Sequence, residues 1–139
     1  MNNTYKYISS IPYSLHDMIT NKIKITDDNI KLYFKNGFIE LKSPYKQVVG
    51  NILIEKVDLD FSKVYILSSS GKYGNFKGKK MSLTNFIKKY KKFRFEIIDE
   101  IYGYNQVSYC GYLYLPNKNK LKEIIISIYY SGNIAYETI

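Results

Sequence analysis

Few side chains in this sequence have the chemistry of a catalytic centre. His16 is the sole histidine, and Asp17 follows it directly in SLHDMIT, residues 14–20. A histidine oriented by a carboxylate is a general base, and it serves a hydrolase when a nucleophile and oxyanion donors are also in place. On a strand, neighbouring side chains point to opposite faces, so Asp17 could not hold the imidazole there; in a turn it could. The serines of SSSGK, residues 68–72, lack the G-x-S-x-G elbow of a hydrolase nucleophile. Cys110, the single cysteine, would have to meet His16 in space. The expectation is a hydrogen-bonded structural histidine, a polar step at the start of a strand.

Two carboxylate pairs could hold a hard cation or cleave a glycoside. Asp58 and Asp60 stand two apart in VDLDF, and Glu96 and Glu100 stand four apart, so each pair shares a face of a regular strand. Neither pair has a third ligand nearby. Asp58 and Asp60 flank a turn signal over 58–62, where acids make local hydrogen bonds. Glu96 and Glu100 alternate beside Arg94 in a way that suits cross-strand ion pairs. One cysteine and one histidine cannot make the usual structural zinc sets. GKYGNFKGKK, residues 71–80, has neither phosphate-loop spacing and reads as a surface loop. No catalytic, metal-binding or cofactor-binding residue is assigned, and no cofactor is expected.

Charge and tyrosine remain. The net charge is +9, and eight of the 21 cations, Lys77, Lys79, Lys80, Lys88, Lys89, Lys91, Lys92 and Arg94, fall in one segment without an acid. The other 13 cations face 12 acids. Such a segment steers anionic partners, whether an acidic protein or a nucleic acid. Against a functional reading, Arg94 is the only arginine, whereas base-edge readout leans on the arginine fork. The abundance of Ile, Lys, Asn and Tyr also matches A/T-rich codons, and a charge run often simply faces water.

Of 16 tyrosines, eight crowd the last third: Tyr102, Tyr104, Tyr109, Tyr112, Tyr114, Tyr129, Tyr130 and Tyr136. Tyr104, Tyr112 and Tyr114 share strand parity. An aromatic face there could stack on bases or sugars, or meet a protein; strand preference alone would place such rings in the core. The candidate partner-binding residues are therefore Lys79, Lys80, Lys88, Lys89, Lys91, Lys92, Arg94, Tyr104, Tyr112 and Tyr114.

The elements that must position these residues are mostly strands. At 139 residues the chain fits one domain, 1–139. The N-terminal residues carry no signal-peptide pattern, and IIISIYY, residues 124–130, falls short of the roughly 20 residues that span a bilayer. A lone thiol suits a reducing cytoplasm, so the expectation is a cytoplasmic protein without a membrane partner. Period-two patterns mark strands at 21–26, 30–35, 38–42, 47–58 with a bulge at Gly50, 63–69, 93–101, 106–115, 122–130 and a short last one. Turns are expected at 58–62 and 102–105. Ser82 is a good N-cap, and Leu83, Phe86, Ile87 and Tyr90 follow at helical spacing. The fold class expected is mainly β, an antiparallel sandwich or partly closed barrel of about seven to nine strands, with one short α-helix at about residues 82–91 over an open end or edge.

SIPYSLHD, GKKMSLTNFIKKY and IIDEIYGYNQVSYCGYLYLP together resemble small, uncharacterised, single-domain bacterial proteins. The likeness spans most of the chain. It implies a compact β-rich domain and carries no site residue over. The functional expectation is a non-catalytic protein-interaction domain, of an accessory or immunity type, that meets another protein, an acidic one, through the basic segment and a tyrosine face. Nucleic-acid binding by the same groups is the alternative. A small-molecule binder or enzyme with a pocket on the concave sheet face is the third. A homo-oligomer is compatible with all three.

Overall fold

The computed structural model describes residues 11–67, 78–116 and 120–138. The SSSGK serines, most of the Gly-Lys loop and Lys77 lie outside the described residues. In chain order the strands are β1 (Tyr13–Ser14), β2 (Ile19–Thr26), β3 (Asn29–Phe34), β4 (Phe38–Glu40), β5 (Gln47–Val48), β6 (Gly50–Ile54), β7 (Val57–Leu67) and β8 (Gly78–Ser82). Helix α1 (Leu83–Lys89) follows, then β9 (Arg94–Gly103), β10 (Gln106–Leu115), β11 (Lys120–Tyr130) and β12 (Ile134–Thr138). Nine strands form one sheet in the order β12-β6-β3-β2-β9-β10-β11-β7-β8, and β1-β4-β5 form a small second sheet. Every pairing is antiparallel.

Alternation places the core. Ile30, Leu32 and Phe34 of β3 are buried, as are Val107, Tyr109, Leu113 and Leu115 of β10 and Ile124, Ile126 and Ile128 of β11. They join Phe95 and Ile97 of β9 in one apolar cluster. Each such side chain contributes about 1.5–3 kcal/mol on burial.

Two corners fold the large sheet over this core. β6 pairs with β12 and β7 with β11, so the β6–β7 and β11–β12 connections turn together. The Ser131 N–H donates to the Lys56 carbonyl at 2.9 Å, and the Gly132 N–H to the Glu55 carbonyl at 3.1 Å. The sheet is a folded sandwich or open barrel, since its end strands β12 and β8 do not pair with each other.

Helix α1 forms as its sequence requires. The Ser82 hydroxyl accepts the Asn85 N–H at 3.1 Å. Leu83 and Phe86 are buried, and the Phe86 ring packs against Tyr90 and Phe93 at 5.2 and 5.4 Å. The helix stops at Lys89, with Tyr90 as its C-cap, two residues short of the expected 91.

Three local readings need correction. The segment 58–62 is no turn between strands but an outward bulge inside β7, because Asp58 pairs with Tyr129 while Lys63 pairs with Ser127. Gly50 is not a bulge: it opens β6 at a close approach, where a Cβ would stand 2.5 Å from the Glu137 carbonyl oxygen and 2.9 Å from the Phe38 ring. The predicted strand over 47–58 is accordingly divided among β5, β6 and the start of β7.

The third correction matters most. In the β9–β10 ladder Cys110 pairs with Asp99 and Gly111 with Ile97, so Ile98 is an extra, unpaired residue. A bulge of one residue reverses strand parity. Phe95 and Ile97 face the core before it; after it, Glu100 and Tyr102 are the half-buried residues, while Asp99 and Ile101 are exposed. Glu96 and Glu100 therefore do not share a face. Gly111 permits this geometry, since a Cβ there would lie 1.9 Å from the Glu96 carbonyl oxygen.

Gly111→Ala should lower stability by about 3 kcal/mol or more, while Gly103→Ala should change it by no more than about 0.5 kcal/mol. At Gly103 the nearest heavy atom to an added Cβ is 3.8 Å away. Urea denaturation of both variants checks this; equal effects would refute the role given to Gly111.

Candidate functional site

His16 and Asp17 sit in a turn, not at a strand start, and Asp17 adopts φ +65°. Long-range pairing with β9 makes the turn. The Asp17 N–H donates to the Ile97 carbonyl at 2.8 Å, and the Ile97 N–H donates to the Met18 carbonyl at 2.9 Å. His16 Nδ1 donates to the Ile98 carbonyl at 2.7 Å, the oxygen that the bulge leaves outside the ladder. Its Nε2 lies 3.4 Å from Asp17 Oδ2. Both ring nitrogens thus face acceptors, which favours the imidazolium. The Ile98 carbonyl, then the Asp17 carboxylate, raise the His16 pKa above its usual 6.5. Such a ring staples the bulge through Nδ1, with Nε2 beside the exposed Asp17 carboxylate. Cys110 is half-buried beside Asp99 and Glu123. Burial first, then these acids, push its thiol up, away from the thiolate that a nucleophile needs. Asp58 accepts the Asp60 and Phe61 N–H groups through Oδ1 at 3.1 and 3.3 Å, which holds the β7 bulge.

The predicted aromatic and basic residues converge in part. On the outer face, Tyr114 of β10 lies opposite Arg94 of β9 and Leu121 of β11, and Tyr112 lies opposite Glu96 and Glu123. The Arg94 guanidinium stands over the Tyr114 ring, 5.0 Å from its centroid. Arg94, Glu96, Tyr112, Tyr114 and Leu121, with Ile19, line a groove of about 340 Å³. Tyr112 is 45% exposed and Leu121 63% exposed. Farther along the same face lie Ile101 and Tyr129, both exposed, with the Phe61 ring 6.4 Å from that of Tyr129. Between them Gln106 Nε2 donates to the Ser127 hydroxyl at 2.8 Å.

The predicted lysines fall on or beside two elements. Lys88 and Lys89 occupy the last turn of α1, and Lys91 and Lys92 lead into Arg94; all four are exposed. Lysines suit that helix end, where the dipole is negative. Lys79 and Lys80 lie on edge strand β8, where charge also discourages pairing with another sheet. Lys79 lines a cleft of about 520 Å³ with Lys120 and Lys122, and this cleft shares Leu121 with the groove.

Tyr104 stands apart. It is 90% exposed at the tip of the β9–β10 turn. Ten residues of strand separate it from Tyr114, about 30 Å. The sequence reading missed Ile19, Leu121, Lys120 and Lys122. Register between β10 and β11 would have set Leu121 beside Tyr114, but register depends on the geometry of the connection, which the sequence pattern does not disclose.

Among the described residues no helix is long and apolar enough to cross a membrane. Comparison with protein-family models, with curated proteins and with solved structures found no match.

The His16 staple predicts a pH dependence. Its pKa is raised in the folded state, so its contribution is fully present below about 6.5, the unfolded value, and is lost as pH rises through the folded value. His16→Ala should therefore shift the urea midpoint downward in mildly acidic buffer and leave it nearly unchanged in alkaline buffer. The reverse order would contradict the imidazolium assignment.

Proposed function

We propose that this chain is a non-catalytic protein-interaction domain, of an accessory or immunity type, whose partner is an acidic protein surface. The observation that carries this reading is the groove of Arg94, Tyr112, Tyr114 and Leu121 on the outer sheet face, with four exposed lysines among the six residues that precede Arg94 in the chain. Arginine and tyrosine are the residues that dominate binding energy at protein interfaces, because they bury large area with a polar handle. Lys88, Lys89, Lys91 and Lys92 supply steering toward negative charge and raise the association rate more than the final affinity.

Two features favour a protein over a nucleic acid. Arg94 already covers one face of the Tyr114 ring, which limits base stacking there. Glu96 lines the groove and Glu123 faces Tyr112, and both carboxylates repel phosphate. A mixed protein surface, with apolar groups for Tyr112 and Leu121 and acids for the lysines, meets the whole set.

The test is a photo-crosslinking residue at Tyr112 in host cells, with two further variants. The crosslinked partner should be an acid-rich protein. Replacing Lys88, Lys89, Lys91 and Lys92 by Glu should reduce its association rate by at least about tenfold at low ionic strength. Tyr112→Ala should weaken affinity by about 2 kcal/mol, with the melting temperature retained. Capture that is indifferent to both variants would overturn the proposal. Recovery of nucleic acid alone, released steeply by salt, would replace it with the nucleic-acid reading.

A further inference from the structure

We propose that the inward-turned end of β9 builds a second site, a tyrosine-walled pocket that takes a small organic cation, an ammonium or its methylated form. The pocket has a volume of about 390 Å³ and is lined by Tyr102, Tyr130 and Tyr136 with Pro12, Asn133 and Ile134. That volume lies within the range of small-ligand sites. No Lys, Arg, Asp or Glu lines it among the described residues.

Hydrogen-bond direction sets the kind of ligand. The Tyr102 hydroxyl donates to Glu100 Oε1 at 2.8 Å, which commits its single proton. The Tyr136 hydroxyl, 3.2 Å from that of Tyr102, must then supply the proton of their contact. Both protons run toward Glu100; the buried Tyr109 hydroxyl also neighbours Tyr102 and can fill its remaining lone pair, so the oxygen left to accept from a ligand is that of Tyr136. A ligand that meets this chain must donate, or must be attracted to negative charge without donating.

The charge points the same way. Glu100 Oε2 accepts the Leu15 N–H at 2.9 Å, and among the described residues no cation stands within ion-pair distance of it; the neighbouring His16 ring acts on it only at longer range. It is a half-buried carboxylate behind a screen of phenol rings. Tyr109, directly opposite it on β10, is fully buried, and its hydroxyl makes no well-aligned hydrogen bond. Burial raises the pKa of Tyr102, Tyr109 and Tyr136, so the phenols stay neutral and the formal charge of the cluster is that of Glu100. Tyrosines lining a pocket, two of whose hydroxyls lead by hydrogen bonds to a carboxylate, supply the elements of ammonium recognition. The net charge of +9 opposes any cation at long range, so recognition here is a short-range property of the pocket.

Choline and its uncharged isostere 3,3-dimethylbutan-1-ol, titrated into the ¹⁵N-labelled full chain, test the proposal. Choline should produce saturable shifts at the amides of Asn133, Ala135 and Tyr136, and the alcohol should bind at least tenfold more weakly. Glu100→Gln should weaken choline at least tenfold. Tyr130→Leu removes one wall without touching the hydrogen-bond chain, and it should weaken choline severalfold even if Glu100→Gln proves unstable. Methylammonium in place of choline separates a donor-requiring site from a methyl-cation site, both within the proposal. Equal binding of choline and the alcohol would overturn it, as would the absence of shifts at tens of millimolar of either cation.

Discussion

A missing side chain at Gly111 is the constraint on which much of this molecule rests. It lets the Glu96 carbonyl approach where any Cβ would collide, and β9 then carries one residue more than β10 needs. The carbonyls of Ile97 and Ile98 become acceptors for the Asp17 N–H and the His16 ring. Those bonds bring the start of β2 against β9, a junction of only two register pairs, Ile19 with Glu96 and Thr20 with Phe95. Through that narrow junction the two halves of the nine-stranded sheet become one.

The bulge also gives one strand two functional faces. Upstream of Ile98, Arg94 and Glu96 look outward and join Tyr112 and Tyr114 in the groove. Downstream, Glu100 and Tyr102 look inward and meet Tyr109 and Tyr136. Without the extra residue, strict alternation would leave Glu100 in solvent and set Ile101 toward the core. The corner at Ser131–Gly132 then brings β12 back so that Tyr136 reaches both Tyr102 and the rings of Tyr13 and Phe38. Ser62 holds the other side, donating to the Asp58 carbonyl at 2.7 Å and accepting the Tyr129 N–H at 3.1 Å.

Much of the fold was legible because it is local. Period two in β3 and β10 names the buried residues directly, and Ser82 with its apolar spacing names the helix; β11, where Ile126, Ser127 and Ile128 are all buried, does not alternate. What failed depends on partners far along the chain. The turn at His16 exists because of atoms on β9, more than 80 residues away. The parity change had a trace, the adjacent Ile97 and Ile98 in an otherwise alternating run, and an isolated glycine at 111 inside a strand pattern. Gly50 carried the same signal for a different reason, a close backbone approach, so glycine alone could not say which position was the bulge. Of the candidate site, Arg94, Tyr112 and Tyr114 were legible from parity, whereas the separation of Tyr104 follows from its place in a turn.

The allotment of charge is the last element. Four lysines fall within five positions of the chain, a spacing at which like charges repel at physiological salt, where the Debye length is about 8 Å. They repel, and among the described residues none forms an ion pair that would offset this. Helix propensity does not require the arrangement, since one or two cations satisfy the dipole at that helix end. An acidic surface laid against Lys88, Lys89, Lys91 and Lys92 would relieve the repulsion that folding leaves in place, and the gain would be realised only in the complex. The carboxylate of Glu100 presents the same logic with the sign reversed and on the opposite face. Neither group has an ion-pair partner among the described residues, and for Glu100 the His16 ring adds only a longer-range positive charge.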